Sequence, residues 1–318
     1  MKCRICGKPA VIKLRAHNIA LCKDHFIEFV QKQTAKAIKH YKMFTKNDHI
    51  AVAVSGGKDS LALVDILTEL GYHISAFYID LGIKHMDYSA TSKAKAQAFC
   101  EKKNVPCLVY SLPEMFGMGI DEAARKSKRT PCSLCGMTKR YLMNVAAKDL
   151  SADVIATGHN LDDQAAALFA NVMRWDISYL AKGYPVLPAE HGFPKKVKPL
   201  VFLTEREIAA YAIVRGIDYV RYECPHSEGA RFLVYKEHLN AIENMSPGTK
   251  RRFYQGYTEN IWRFQIDRED VKELKGQEES VMRPCRICGM PTAAEDGICS
   301  FCRFWRPDEV KKLKESEE

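Results

Sequence analysis

The chain has 318 residues, 47% of them hydrophobic, with twelve cysteines and a formal charge of +9, enough for at least one full core with small appendages. No run of about eighteen apolar residues occurs and the start, Met1-Lys2-Cys3, carries no apolar signal core, so the expectation is a cytoplasmic protein without a membrane span. Twelve cysteines in a large chain without an export signal argue for metal ligands over disulfides, and the basic charge favours an anionic partner such as RNA without establishing one.

Residues 1–26 read as a zinc finger. Cys3, Cys6, Cys22 and His25 follow C-x2-C-x15-C-x2-H, in which each pair sits on a tight knuckle and two knuckles complete a tetrahedron. Residues 26–44 carry apolar positions at helical spacing and read as an amphipathic helix whose lysines could lie along RNA. The pattern then alternates: strand 50–54, helix 59–70, strand 73–80, helix 89–103 and strand 106–110. After a loop come helix 137–150, strand 153–157 and helix 162–174. Strands alternating with helices of this length predict a parallel, doubly wound α/β sheet with helices on both faces.

Residues 175–203 are proline-rich and basic, which predicts loops and an irregular strand. Thr204-Glu-Arg-Glu207 is a capping box opening a helix over 204–215, and further helices are expected over 228–244 and 250–264. The charged stretch 267–279 reads as a linker or helix end. Cys285, Cys288, Cys299 and Cys302 then form a second four-ligand set, C-x2-C-x10-C-x2-C, followed by a charged tail. The expected division is therefore a zinc finger over 1–26, a catalytic domain over 27–266, and a linker, zinc ribbon and tail over 267–318. Four ligands leave no open position, so both zinc sites should be structural.

Between the modules, Ser55-Gly56-Gly57-Lys58-Asp59-Ser60 links the first strand of the alternation to its helix. Two glycines let backbone N–H groups converge on phosphate oxygens, and the helix N-terminus adds partial positive charge. Lys58 and the serines supply more donors; Asp59 suits Mg²⁺. Gly158-His159-Asn-Leu-Asp162-Asp163 follows a later strand at the same sheet edge, where ligands of open α/β sheets bind, though Asp162 and Asp163 could equally cap a helix and His159 close a turn. Cys132 and Cys135 sit in a predicted loop before a helix, with Cys224 in another loop after a helix and strand. Bottom-up, the pair could be a redox dithiol, part of a zinc site, or, with Cys224, part of a cluster site. Cys100 and Cys107 read as core cysteines.

The loop resembles the pyrophosphatase loop of ATP-pyrophosphatases, which are similar to adenine nucleotide alpha hydrolases and cut ATP between the α- and β-phosphates. The ordered set as a whole is highly specific. It comprises the Cys/His module, Ser55–Ser60, Pro131-Cys-Ser-Leu-Cys135-Gly-Met-Thr-Lys139-Arg140, Gly158–Asp163, Glu223-Cys224-Pro225 and the four-cysteine ribbon. It resembles the tRNA 2-thiouridine synthetases of the TtuA type over nearly the whole chain. That resemblance implies a [4Fe–4S] cluster on Cys132, Cys135 and Cys224, with Lys139 and Asp163 as catalytic groups. It also implies ATP with Mg²⁺, a tRNA substrate, a ubiquitin-like sulfur carrier ending in a thiocarboxylate, and a homodimer as one plausible assembly. The expected reaction adenylates O2 of uridine and replaces it with sulfur, most readily at T-loop position 54. Wobble-uridine thiolation, or an adenylating enzyme without sulfur chemistry, is the alternative. One position departs from the family pattern: Gln164 stands where a glutamate usually follows the paired aspartates.

Overall fold

The computed structural model describes residues 1–127, 129–227, 231–264 and 281–316. β1 (Ile12–Leu14) and β2 (Ile19–Leu21) pair antiparallel, with Ile12 opposite Leu21. α1 (Lys23–His40) follows and buries Phe26, Val30, Thr34, Ala37 and Ile38, spaced to fall on one helix face. This helix begins three residues before the sequence pattern suggested and ends four residues earlier, so His25 lies inside its first turn.

The central sheet contains β3 (Ile50–Val54), β4 (Ile74–Asp80), β5 (Cys107–Ser111), β6 (Val154–Thr157), β7 (Val186–Leu187) and β8 (Lys195–Val197). Its spatial order is β5-β4-β3-β6-β8-β7, parallel throughout except for the β7 edge. The connecting helices are α2 (Lys58–Glu69), α3 (Tyr88–Lys102), α4 (Leu112–Phe116), α5 (Ile120–Ser127), α6 (Pro131–Asp149), α7 (Leu161–Arg174) and α8 (Ile177–Leu180). Side-chain alternation along β3 explains the two-faced burial. Ile50, Val52 and Val54 join the core of α2 and α3, while Ala51 packs with Ala146 and Ala147 of α6.

From β3 the chain runs outward to β4 and β5, then crosses back to place β6 on the other side of β3. The strand order therefore reverses between β3 and β6, and a crevice opens beyond their C-terminal ends. The loop Ser55–Gly57 and the loop Gly158–Asn160 both emerge there.

α9 (Glu205–Arg215) is capped by Thr204 in the expected box: Glu207 N donates to Thr204 Oγ1 at 3.2 Å, and Glu207 Oε2 accepts from Thr204 N at 2.7 Å. Asp65 of α2, almost wholly buried, ties this helix to the core. It accepts from Arg215 Nε at 2.7 Å and from Tyr211 Oη at 2.7 Å, and Lys103 lies 2.5 Å away. Burial alone would favour the neutral carboxyl, but these donors hold it below the usual carboxylate range. α10 (Arg231–Met245) and α11 (Thr249–Asn260) pack on α7.

β9 (Arg283–Pro284), β10 (Pro291–Thr292), α12 (Ser300–Trp305) and α13 (Pro307–Glu315) build the C-terminal module. It shares a core with the site-bearing helix: Ile298, Phe301 and Trp305 pack with Leu134 and Leu142 of α6. The Tyr141 and Phe301 rings stack at 3.6 Å, and Trp305 Nε1 donates to the buried Thr138 hydroxyl at 3.0 Å.

Several sequence expectations need correction. The segment 131–136 is the first turn and a half of α6 and no loop, because Pro131 occupies the first helical position, where its fixed φ and missing N–H cost nothing. Two helices, α4 and α5, lie in the stretch read as loop. Among the described residues no strand lies between α9 and Cys224. The expected helix over 228–244 starts outside the described residues, as does the whole expected linker over 267–279. No helix is long and apolar enough to cross a membrane among the described residues.

Candidate active site and metal centres

The phosphate loop is shaped by its own serines. Ser55 N donates to Ser60 Oγ at 3.0 Å, and Ser60 Oγ donates to Gly57 O at 3.1 Å. Gly56 has φ +73°, and a Cβ there would lie 2.4 Å from Ser92 O, so both conformation and space demand glycine. Gly158 abuts the same loop: its added Cβ would lie 2.9 Å from Ser60 N. Gly57 caps α2 with no side-chain hydrogen bond, which leaves first-turn N–H groups for an anion.

These loops bound a cavity of about 340 Å³, lined by Ser55, Asp59, Ser60, Lys139, Gly158 and His159, with Tyr78, Tyr88 and Ser89 on the β4–α3 side. Beside it runs a chain of opposite charges. Lys58 Nζ lies 3.1 Å from Asp59 and 2.7 Å from Glu205; Lys236 Nζ lies 3.0 Å from Glu205 and 2.6 Å from Asp163. Burial works against ionised Glu205, yet Lys58 and Lys236 overcome it and hold the carboxyl at about 2. Asp59 is pushed up, chiefly by burial, against the pull of Lys58. Asn160 joins the two motifs: its Nδ2 donates to Asp59 Oδ1 at 3.0 Å, and its Oδ1 accepts from Asp163 N at 3.1 Å in a reciprocal capping box. Burial also lowers His159, whose Nδ1 sits 2.8 Å from Thr157 Oγ1.

Cys132, Cys135 and Lys139 stand at three- and four-residue spacing on α6 and so share one face of it. Lys139 reaches the nucleotide-sized cavity, while the cysteines meet the loop that carries Cys224. Cys132 Sγ donates to His226 O at 3.3 Å, and His226 Nε2 anchors that loop to Asp121 Oδ1 at 2.6 Å. Cys135 and Cys224 pack against the same hydrophobic core. The electrostatics bring the trio together as well. Burial raises the Cys135 thiol, Cys224 and Cys132 raise it further, and Lys139 and Arg140 oppose them. Tyr88, on the cavity wall, is pushed to about 12, chiefly by burial, with the neighbouring Cys224 and Cys135 adding to it. Three thiols beside two cationic side chains form a donor set that fits an iron–sulfur cluster.

At the chain's ends, Cys3, Cys6, Cys22 and His25 hold their ligand atoms within 4.8 Å of one another, and so do Cys285, Cys288, Cys299 and Cys302. Both knuckles turn identically, with Gly7 N donating to Cys3 O and Gly289 N to Cys285 O, each glycine at positive φ. All eight are free of disulfides where cysteine, and both donor sets fit a tetrahedral ion such as zinc.

Of the residues singled out from the sequence, the phosphate loop, Gly158, His159 and Asp163 fall at the sheet crevice, Cys132, Cys135 and Lys139 on the α6 face beside the Cys224 loop, and the two four-ligand sets in the terminal modules. Asp162 instead lies buried 2.5 Å from Lys250 Nζ and accepts from Glu205 N at 2.9 Å, and Cys100 is a core residue. Gln164 is buried and accepts from Lys198 Nζ at 2.6 Å. Sequence reasoning missed Glu205, Lys236, Asn160 and Tyr88 as site residues. Glu205 was visible only as a member of a helix cap; Lys236 and Tyr88 carried no local signal.

A family model described as a PP-loop domain matches residues 28–228, and one described as the N-terminal LIM domain of 2-thiouridine synthetase TtuA matches residues 2–27. The tRNA-5-methyluridine(54) 2-sulfurtransferase of Pyrococcus horikoshii is 43% identical, covering 96% of this chain and 94% of its own. The enzyme of the same name from Thermotoga maritima is 40% identical, covering 99% of both. Among solved structures, the U34-tRNA thiolase NcsA from Methanococcus maripaludis, described with its [4Fe–4S] cluster, superposes with a TM-score of 0.76 at 27% identity over 96% of each chain. Fold, motif order and near-full-length identity agree, and the chain belongs to the PP-loop tRNA 2-sulfurtransferases of the TtuA type.

Proposed function

We propose that this enzyme replaces O2 of a tRNA uridine with sulfur at the expense of ATP, acting on the T-loop uridine at position 54 as its relatives' name states. The observation that carries the reading is the placement of Cys132, Cys135 and Lys139 on one face of α6, with Lys139 lining the cavity of the phosphate loop. Nucleotide chemistry and sulfur chemistry thereby meet at a single lysine.

In this reading Ser55, Gly56, Gly57, Lys58 and Ser60 cradle the β- and γ-phosphates, and Gly158 lets the opposing loop approach them closely. Backbone amides and Lys58 stabilise charge developing on pyrophosphate. Asp59 is the carboxylate available to hold Mg²⁺, which would supply positive charge to the departing pyrophosphate. Uracil O2 attacks the α-phosphorus, the bond to the β-phosphate breaks, and pyrophosphate leaves. O2 is now part of an AMP leaving group. Lys139 neutralises negative charge on O2 as a sulfur nucleophile adds to C2 and the C2–O2 bond breaks. Asp163, held in place by Asn160 and Lys236, accepts or returns the N3 proton. Cys132, Cys135 and Cys224 would hold a [4Fe–4S] cluster, which would supply iron to carry the sulfur nucleophile.

Zinc at the two terminal sites has a structural part in this reading, and the second site braces α6. The units are a finger over 1–26, a catalytic domain over 27–266 and a C-terminal ribbon. A ubiquitin-like carrier with a terminal thiocarboxylate supplies sulfur, the basic residues Lys2, Arg4, Lys8 and Lys13 of the finger contact RNA phosphates, and the enzyme works in the cytoplasm. Anaerobic turnover with α-labelled ATP tests the scheme: one AMP, one pyrophosphate and one 2-thiouridine should form together. ADP as the product, or AMP release without sulfur incorporation, would refute it.

A further inference from the structure

A second cavity, of about 320 Å³, adjoins the nucleotide cavity, and His159 lines both. Tyr254 and Tyr257 are buried in its wall with their hydroxyls spent on main-chain carbonyls, Tyr254 donating to Gly183 O at 3.0 Å and Tyr257 to Leu180 O. What they offer a ligand is ring surface. Phe232 and Tyr179, both exposed, complete the aromatic lining.

Lys198 lines this cavity and not the first one. Its ammonium donates to Gln164 Oε1 at 2.6 Å and forms no ion pair among the described residues. Gln164, being neutral, holds Lys198 without cancelling its charge. An ammonium has three N–H donors, so two remain for a ligand. Burial pulls Lys198 down to about 8, against the opposing attraction of Asp163. Aromatic faces and the cationic donor Lys198, with Lys182 exposed on the same lining, in a space of ligand-pocket size, suit a planar ring bearing an exocyclic carbonyl.

We propose that this cavity receives the acceptor pyrimidine, turned out of the RNA, with Lys198 donating a hydrogen bond to its O4. The inference rests on the thiolation reading above, and gives it a substrate subsite. O2 must face the α-phosphate across His159 and Asp163, so the carbonyl within reach of a residue confined to the second cavity is O4. Cytosine carries an amino group at that position, and donor would face donor; Lys198 thus selects uracil over cytosine. Lys198 is a positioning and specificity residue, acting away from the reacting atoms.

The test is thiolation by the iron-loaded, full-length protein, comparing wild type, Lys198→Met and Lys198→Arg. The RNAs are one tRNA transcript with uracil and one with 4-thiouracil, which keeps N3–H and replaces O4 with a weakly accepting sulfur, at the target position. Replacing O4 should cost the wild type about tenfold or more in kcat/KM. Lys198→Met should lose a similar factor on the uracil transcript and nothing further on the analogue, and Lys198→Arg should regain part of the O4 dependence. The Kd for ATP, read at the first cavity, should be equal in all three and reports folding. An equal penalty for O4 replacement in wild type and Lys198→Met would overturn the subsite, as would a wild type indifferent to O4. If Lys198→Met fails to bind ATP, Tyr179→Ala replaces it: a raised KM for tRNA at unchanged ATP affinity supports the subsite, and an unchanged KM contradicts it. A wild type that binds ATP and thiolates neither transcript overturns the thiolation reading itself.

Discussion

Lys236 Nζ lies 2.6 Å from Asp163 Oδ1, so a cation from α10 is docked on the aspartate at the head of α7. The same aspartate uses Oδ2 to accept from Asn160 N at 3.0 Å, which completes the cap of that helix. One carboxylate is therefore both a structural cap and a charged member of the site. The Asp163→Asn variant separates the two roles, because asparagine still caps but cannot take a proton as a carboxylate does. Its thiolation rate should fall about 100-fold or more, with ATP affinity and thermal stability close to wild type. A variant active at near the wild-type rate would remove Asp163 from the chemistry.

Gly56 is the position where the phosphate loop tolerates no side chain. Gly56→Ala places a methyl group 2.4 Å from Ser92 O on a backbone at φ +73°. We expect a loss of about 1–3 kcal/mol in stability from the backbone strain, with ATP binding abolished as the loop or α3 shifts. Denaturant unfolding and ATP titration check the two effects separately.

The C-terminal ribbon supports the helix that bears Cys132, Cys135 and Lys139, through Trp305–Thr138 and Tyr141–Phe301. Cys302→Ser should accordingly lower iron retention as well as zinc content, although Cys302 is no cluster ligand in the proposed scheme. Trp305→Phe leaves the buried Thr138 hydroxyl without its donor and should cost about 1–3 kcal/mol. Metal analysis and unfolding curves are the measurements; full iron loading in Cys302→Ser would show the ribbon to be independent of α6.

Glu205 predicts a pH dependence of defined sign. Its carboxyl sits at about 2 in the folded protein against an ordinary value of 4.5, so the folded state binds the proton less readily than the unfolded state does. The resulting stabilisation is complete above pH 4.5 and is lost as the pH falls toward about 2. Wild type should exceed Glu205→Gln in stability at pH 6, and the gap should close over that acid window. The side chain is about a third exposed, so solvent screening keeps the gap modest. A gap that widened on acidification would refute the Lys58–Glu205–Lys236 arrangement.

The parts of the site legible in the sequence are those made by neighbours in the chain. Ser55–Ser60 and Gly158–Asp163 are strand-to-helix turns, and turn chemistry is written locally. The four-ligand knuckles announce themselves by spacing for the same reason. The start of α6 misled because a proline in a loop and a proline at a first helical position look alike until Thr130 is seen as the cap. Lys236, Glu205 and Lys198 escaped because their partners, Asp163, Lys58 and Gln164, reach them only through the packing of α7, α9, α10 and β8. The sheet order itself, which sets β6 beside β3 and thereby brings the two turns together, follows from the crossover and from no single segment.

The most direct test of the whole account is mass-spectrometric mapping of sulfur in tRNA. The tRNA would be incubated with ATP, sulfide and anaerobically iron-loaded protein, wild type beside Cys224→Ser. The account predicts one oxygen-for-sulfur exchange in the T-loop fragment with the wild type, at position 54 as in its relatives, and none with Cys224→Ser despite unimpaired ATP binding. Full thiolation by Cys224→Ser, or sulfur appearing only in the anticodon fragment, would contradict it.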